Sequence, residues 1–155
     1  MERVLQIGVK LILYDPRSEV FLALKRSTLE GCQHRESYDI PGGRLKPGEE
    51  PLEALRREVS EETGYVIWGD PVLVSAQNVL STDSKQVVRL TYMLEDTLDA
   101  LDIELSDEHE AYEFLPLEER NEFIELLNEA IRRSKEMYSF VKHRSANSQM
   151  RRNAS

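Results

Sequence analysis

The sequence predicts one α/β domain, a mixed sheet covered by helices on both faces, and three observations carry that expectation. Several stretches alternate apolar and polar residues at a period of two, two others repeat apolar residues at helical spacing, and Gly-, Pro- and Asp-containing turns separate them. With 155 residues and 40% apolar content the chain can bury a real core.

The elements follow in order. Leu5, Ile7, Val9, Leu11 and Leu13 alternate with other residues, which marks a half-buried strand. The run "DPRSE" turns the chain, and Val20, Leu22 and Leu24 alternate again, so the two runs predict a hairpin with Lys25 and Arg26 leaving its second strand. A polar loop from Ser27 to Glu36 comes next, then the short strand "YDI". That strand ends against Pro41, Gly42 and Gly43, residues that stop regular structure and allow close backbone approach. From Pro51 the pattern is helical: Leu52, Leu55 and Val59 share a face, Pro suits the first turn, and Gly64 suits the position past the end. The acids of this helix are expected to face away from the apolar stripe. Val72 to Leu80 and Gln86 to Leu94 predict two strands joined by "STDSK". The acidic stretch "EDTLDALDIELSDEHE" leads to a strand at "YEFL". Phe123, Leu126, Leu127, Ala130, Ile131, Met137 and Tyr138 then keep helical spacing in a long amphipathic helix that packs on the sheet. Residues 1–141 are the expected domain, and 142–155 a polar, basic, disordered tail.

Charge narrows the classes of function. From Arg132 onward seven basic residues stand against one acid, a net +6, which leaves −15 of the overall −9 for the residues before it. An acidic body argues against nucleic-acid binding and suits a protein that holds divalent cations between itself and an anionic substrate. No apolar run approaches the roughly 18 residues of a membrane span, and the start lacks a basic n-region and a cleavage site, so a cytoplasmic protein, monomer or homodimer, is expected. The single cysteine, Cys32, excludes an intrachain disulfide and lies in no nucleophile motif.

The chemistry concentrates in "GGRLKPGEEPLEALRREVSEETGY". Glu58, Glu61 and Glu62 stand at i, i+3 and i+4, on one helical face, where like charges repel by a few tenths of a kcal/mol per pair. A Gly-Gly turn, a basic loop with Arg44 and Lys46, and the acid Glu49 precede them. Oxygen-only ligands suit a hard cation such as Mg²⁺, and a bound metal would supply the missing positive charge. Arg57 can pair with Glu61 one turn on or Glu53 one turn back, and so hold a neighbouring carboxylate in its rotamer. Against this stands a merely solvated acidic helix, which three acids alone would favour.

The full pattern changes that weighting. It resembles the Nudix box, G-x5-E-x7-R-E-U-x-E-E-x-G-U with U bulky and apolar: Gly43, Glu49, Arg57, Glu58, Val59, Glu61, Glu62 and Gly64 fill it in register. Seven fixed positions at about 7% usage each match by chance on the order of one in 10⁸ per start. Tyr65 alone departs, at a usually aliphatic position, which touches packing rather than chemistry. "YDIPGG" and "EHEAYEFLPLEE" look like the family's strand-to-loop entry and its late loop. The resemblance, to Nudix hydrolases of the MutT-like kind, implies the Nudix α/β/α sandwich over nearly all of residues 3–140. It also implies metal ligation by Glu58, Glu61 and Glu62 with the Gly42 carbonyl, Glu58 or Glu61 as base, Arg57 as their support, and a late-loop ligand at Glu108, with Glu110 second.

The implied activity is Mg²⁺-dependent hydrolysis, with Mn²⁺ able to substitute, of a nucleoside diphosphate linked to X. A nucleoside triphosphate cleaved to monophosphate and pyrophosphate is the leading substrate, with Arg44 and Lys46 on its phosphates. ADP-ribose or a nucleotide sugar is the runner-up, since no added signature of a substrate subfamily is present. A reading of another class is an inactive nucleotide-binding module, which should show lesions among the box acids; none is present. His34, His109 and His143 read as surface residues, with His109 a candidate for substrate contact. Tyr65 and Trp68 are expected to pack under the helix rather than stack on a base.

Overall fold

The computed structural model describes residues 2–26 and 38–116, with 136, 138–140, 143, 150 and 152–154 beyond them. The expected loop over 27–36 and most of the expected second helix lie outside the described residues, as do Cys32 and His34. Of the expected tail, His143, Met150, Arg152 and Asn153 are helical and exposed.

Among the described residues, seven strands form one mixed sheet. Strand β1 (Val4–Asp15) is central, and its one edge pairs in parallel with β6 (Lys85–Glu95) from Val4↔Lys85 to Tyr14↔Glu95. Beyond β6 lies β5 (Val72–Ser81), antiparallel to it. The expected hairpin from β1 to β2 (Val20–Arg26) forms, but only Tyr14↔Phe21 and Asp15↔Val20 pair. Past these the two strands splay, and the segment after the loop fills the wedge. Strand β3 (Tyr38–Asp39) pairs with β2, and β4 (Gly42–Arg44) pairs with β1 through Lys10↔Gly42, Val9↔Gly43 and Gly8↔Arg44. The Leu11 N–H, donating to the Pro41 carbonyl at 2.8 Å, closes the seam between them. Strand β7 (His109–Pro116) covers the other edge of β2 and is longer than the "YEFL" strand expected there. A short 3₁₀ turn, Leu98–Ala100, precedes it.

Helix α1 (Pro51–Thr63) starts with Pro in its first turn and the Glu53 carboxylate accepting from the Glu50 N–H at 3.0 Å. It ends at Gly64, left-handed at φ 69°, whose N–H donates to the Ser60 carbonyl. Its inner face brings Ala54, Leu55 and Val59 onto Val9, Leu11, Leu13, Leu22, Leu24 and Leu94. Leu52, expected on that face, is 37% exposed, and Ala54 takes its place. The opposite face of the sheet buries Ile12, Tyr14, Phe21, Ile40, Met93 and Leu115, with Tyr138 packed against them. Strand β1 is therefore buried on both faces beyond Lys10, rather than on one as its alternation suggested. Each fully buried leucine contributes about 2 kcal/mol, so the two clusters hold α1 and the wedge firmly in place. Among the described residues no helix is long and apolar enough to cross a membrane.

Candidate active site

The wedge explains the two glycines. Gly42 sits at φ +140°, and a Cβ there would lie 2.0 Å from the Val9 carbonyl oxygen, so only glycine lets β4 lie this close against β1. At Gly43 an added Cβ would meet the Glu58 carboxylate carbon at 2.4 Å. The glycine pair thus brings backbone and carboxylates of α1 into contact, and the sheet positions the turn against the helix.

Glu62 corrects one expectation. Its spacing from Leu55 and Val59 continues the apolar stripe by one turn, and it is buried, 7% exposed, rather than facing away. Its carboxylate accepts from the Gly42 N–H at 2.8 Å. Burial pushes its pKa up to about 7; the Gly42 hydrogen bond and Lys10 oppose this, while Glu58 and Asp39 add to it. Glu61 lies on the outer side, its side chain 59% exposed, and Glu58 stands between them.

Arg57 organises the rest. Its Nε and Nη2 donate to the two oxygens of Glu49 at 2.8 and 3.1 Å, a bidentate pair beyond the helical-spacing partners Glu61 and Glu53, of which it reaches Glu61. Nη1 donates to Glu58 at 2.7 Å and reaches Glu61 at 3.4 Å, and Nη2 also donates to the Arg44 carbonyl at 3.1 Å. Hydrogen bonds from Arg57 and from the Lys46 N–H hold the Glu49 pKa down to about 2, and those from Glu49 and Glu58 push the Arg57 pKa up. Glu53 is engaged instead at the start of the helix.

Lys10 and Asp39, which no spacing or motif singles out, also meet at the site. Lys10 Nζ donates to Asp39 at 2.8 Å, to the Ile40 carbonyl at 3.1 Å and to the Gly42 carbonyl at 3.3 Å. Asp39 also receives Arg26 at 3.2 Å. Burial raises the Asp39 pKa, but Lys10, the Ile40 N–H and Arg26 outweigh it and the net shift is down. The Gly42 peptide is thereby gripped on both sides, N–H by Glu62 and C=O by Lys10. The available signal was a lysine on the even, apolar-leaning face of β1 between Gly8 and Ile12.

The late loop runs along the end of α1. The Glu104 N–H donates to the Thr63 carbonyl at 2.9 Å and the Ser106 N–H to the Glu62 carbonyl at 3.1 Å. Glu108 follows, exposed, while Glu110 pairs with Lys25 at 3.2 Å. His109 is half-buried with Nδ1 unpartnered, its pKa lowered by burial first and by Lys10 next. Tyr65 packs in the core as expected. Trp68 does not: it is 71% exposed and only its Nε1–H is tied, to Asp96.

Among the described residues no three acid, His or Cys side chains form a ready-made cation cage. Arg57 occupies Glu58 and draws on Glu61 in their stead. The donor set still fits a hard cation: it is all oxygen, and among the described residues the buried Glu62 carboxylate has a single hydrogen bond, from one amide.

Fold and site together define an α/β domain that sets an acid-bearing helix against a Gly-Gly turn held inside a mixed sheet. Residues 4–139 match the NUDIX domain, and the chain belongs to the Nudix family. It is similar to an 8-oxo-dGTP diphosphatase of Haemophilus influenzae, 34% identical over 65 residues, 42% of this chain and 45% of that protein. It is 35% identical over 101 residues, 64% of this chain and 65% of the other, to an asymmetrical bis(5′-nucleosyl)-tetraphosphatase of Mus musculus. The chain thus spans less than two thirds of the length of either relative. Among solved structures, a MutT protein of Methanosarcina mazei superposes at a TM-score of 0.70 with 26% identity, covering 89% of this chain and 98% of that one.

Proposed function

We propose that the chain is a divalent-cation-dependent pyrophosphohydrolase acting on a nucleoside diphosphate linked to X, with a nucleoside triphosphate, cleaved to monophosphate and pyrophosphate, as its leading substrate. The observation that carries this reading is Glu62: a carboxylate buried against the Gly42 amide with its pKa raised to about 7 is the group a cation would stabilise in its charged form. Glu58, Glu61 and Glu62, with the Gly42 carbonyl and Glu108, are the groups that would hold Mg²⁺ or Mn²⁺. A cation bound there supplies charge neutralisation of the phosphate oxygens and a lower pKa for the attacking water. Glu58 or Glu61 accepts the proton of that water. Arg57 keeps Glu58 in its rotamer, and Arg44 and Lys46 neutralise the remaining phosphate oxygens. The water oxygen joins an internal phosphorus, the P–O–P bridge opens, and pyrophosphate leaves.

The intact acid set favours an enzyme over a binding module. A dinucleoside polyphosphate is a second reading, supported by the tetraphosphatase relative, whose similarity extends over more of this chain than that of the 8-oxo-dGTP diphosphatase. ADP-ribose or a nucleotide sugar is the remaining alternative to the triphosphate. The test is a panel of triphosphates, oxidised triphosphates, dinucleoside tetraphosphates, ADP-ribose and nucleotide sugars, each with Mg²⁺ and then EDTA. Pyrophosphate release that EDTA abolishes is expected with triphosphates. Orthophosphate with nucleoside diphosphate as first products would refute the chemistry, and tight nucleotide binding without turnover would favour the module.

A further inference from the structure

Two adjacent glycines have the softest backbone a chain can contain, yet Gly42 and Gly43 stand where Glu62 and Glu58 meet the sheet. Their own torsions cannot hold them. In an antiparallel pair alternate residues exchange main-chain bonds, and the Leu11 N–H on Pro41 and the Leu45 N–H on Ile7 put the bonded positions at odd-numbered residues. Lys10↔Gly42 falls between them. The parallel ladder agrees, because the Val4 N–H donates to the Ser84 carbonyl at 2.9 Å and the even-numbered residues of β1 therefore serve β6. The N–H and C=O of Gly42 thus receive nothing from β1.

Two side chains of opposite charge take them instead: Glu62 accepts the N–H at 2.8 Å, and the Lys10 ammonium donates to the C=O at 3.3 Å. The other two Lys10 donors stay within the same turn, on the Asp39 carboxylate at 2.8 Å and the Ile40 carbonyl at 3.1 Å. All three N–H groups of the ammonium have partners, and none is left for a substrate. One buried-end lysine, its side chain 15% exposed, therefore ties residues 39, 40 and 42 across Pro41, which has no N–H of its own to contribute. Among the described residues the Gly42 amide is the one hydrogen bond of the Glu62 carboxylate. Where the turn goes, Glu62 follows.

We infer that Lys10 is a positioning residue of the cation site, acting through the Gly42 main chain to fix the orientation of Glu62. This rests on the reading of Glu58, Glu61 and Glu62 as cation ligands and adds the group that holds one of them in place. A carbonyl oxygen has two lone pairs, so the Lys10 bond leaves one on Gly42 for a cation. Charge by itself would work in the opposite direction, because an ammonium beside carboxylates repels a divalent cation. Asp39 neutralises that ammonium at 2.8 Å, so the hold on the turn outweighs the field. The Asp39 carboxylate is kept in place in turn by the Ile40 N–H at 2.8 Å and by Arg26 at 3.2 Å.

Calorimetric titration of Mn²⁺ into wild type, Lys10→Met and Asp39→Asn separates hold from charge, because both variants break the ion pair but only Lys10→Met releases the Gly42 carbonyl. Lys10→Met is expected to bind Mn²⁺ about tenfold more weakly than wild type, and more weakly than Asp39→Asn. Charge alone gives the reverse order, since Lys10→Met makes the site more negative and Asp39→Asn more positive. That order, or equal affinity in wild type and Lys10→Met, would overturn the inference. At saturating Mn²⁺ the nucleotide KM of Lys10→Met should equal that of wild type, and a raised KM would make Lys10 a substrate contact and overturn its positioning role. Should Lys10→Met fail to fold, the double variant Lys10→Met, Asp39→Asn, which buries no unpaired carboxylate, takes its place with the same expected loss of Mn²⁺ affinity and the same refuting result. Failure of the wild type to bind Mn²⁺ would count against the cation-site reading alone. Amide hydrogen exchange of the metal-free protein would then still decide the hold: Gly42 N–H exchange about tenfold faster in the lysine variant, with Leu11 N–H unchanged, supports it, and equal exchange at Gly42 overturns it.

Discussion

The two ends of the segment from Gly42 to Asp96 hold their acids in opposite ways. At the far corner Asp96 accepts the Tyr65 hydroxyl at 2.7 Å, the Trp68 Nε1–H at 2.9 Å and the Thr97 N–H at 2.7 Å. Desolvation pushes its pKa up, but hydrogen bonds from Trp68, Tyr65 and Thr97 outweigh it, and the net shift is down. Nearby Asp15 is likewise lowered, by the Arg17 and Leu98 N–H groups. At the helix corner Glu62 is buried with one amide donor, and its pKa goes up to about 7. A carboxylate with a full set of donors is a structural joint; one buried short of donors keeps capacity for a ligand.

The sharpest way to break the helix corner is Glu58→Gln. Loss of a group that accepts the water's proton should lower kcat by about 10²–10⁴ in a Mg²⁺ assay, and a near-normal rate would move the base to Glu61. Companion titration of Mn²⁺ into wild type and a Glu61→Gln, Glu62→Gln double variant should show much weaker binding in the latter. Equal affinity would remove those two acids from the cation site. Gly42→Ala attacks the wedge instead: the strained φ and the contact with Val9 should cost about 3 kcal/mol in chemical denaturation.

Asp96→Asn should break only the far corner, costing about 1–2 kcal/mol of stability and leaving kcat untouched. Its pH dependence has a definite sign. Because the folded pKa of Asp96 lies below its ordinary value of 3.8, its contribution is complete above that value and disappears as pH falls through the lower folded pKa. The difference in stability between variant and wild type should therefore shrink below about pH 4, and a gap that widens there would contradict the assignment. The smallest effect is expected from truncation after Val141, which should leave kcat/KM near wild type; a large loss would give Lys142 or Arg144 a part in the site.

Much of this was legible in the chain because it is local. Helix α1, its proline start and Gly64 end, and the common face of Glu58 and Glu62 follow from spacing and from backbone preferences, which need no distant partner. The strands β1, β2, β5 and β6 announce themselves by alternation in the same way. Hidden were the features created by pairing across long separations. Nothing near Lys10 indicates that Asp39 and the Gly42 carbonyl will lie within 3.3 Å of it, because that meeting needs β1 and β2 to splay and β3–β4 to fill the gap. Arg57 reaches Glu61 one helical turn on, as its spacing implies, but its bidentate partner is Glu49, eight residues back, since the bend between β4 and α1 returns the chain beside it.

The residue order by itself determined which side chains carry the chemistry and the helix that presents them, because a helical repeat places i, i+3 and i+4 together whatever surrounds it. Only the tertiary structure decided that Glu62 is buried against the Gly42 amide, that Gly42 is clamped from both sides, and that Arg57 meets both Glu49 and Glu58. Those outcomes depend on which surfaces are removed from solvent, and burial is a property of the assembled sheet and helix, not of any one segment.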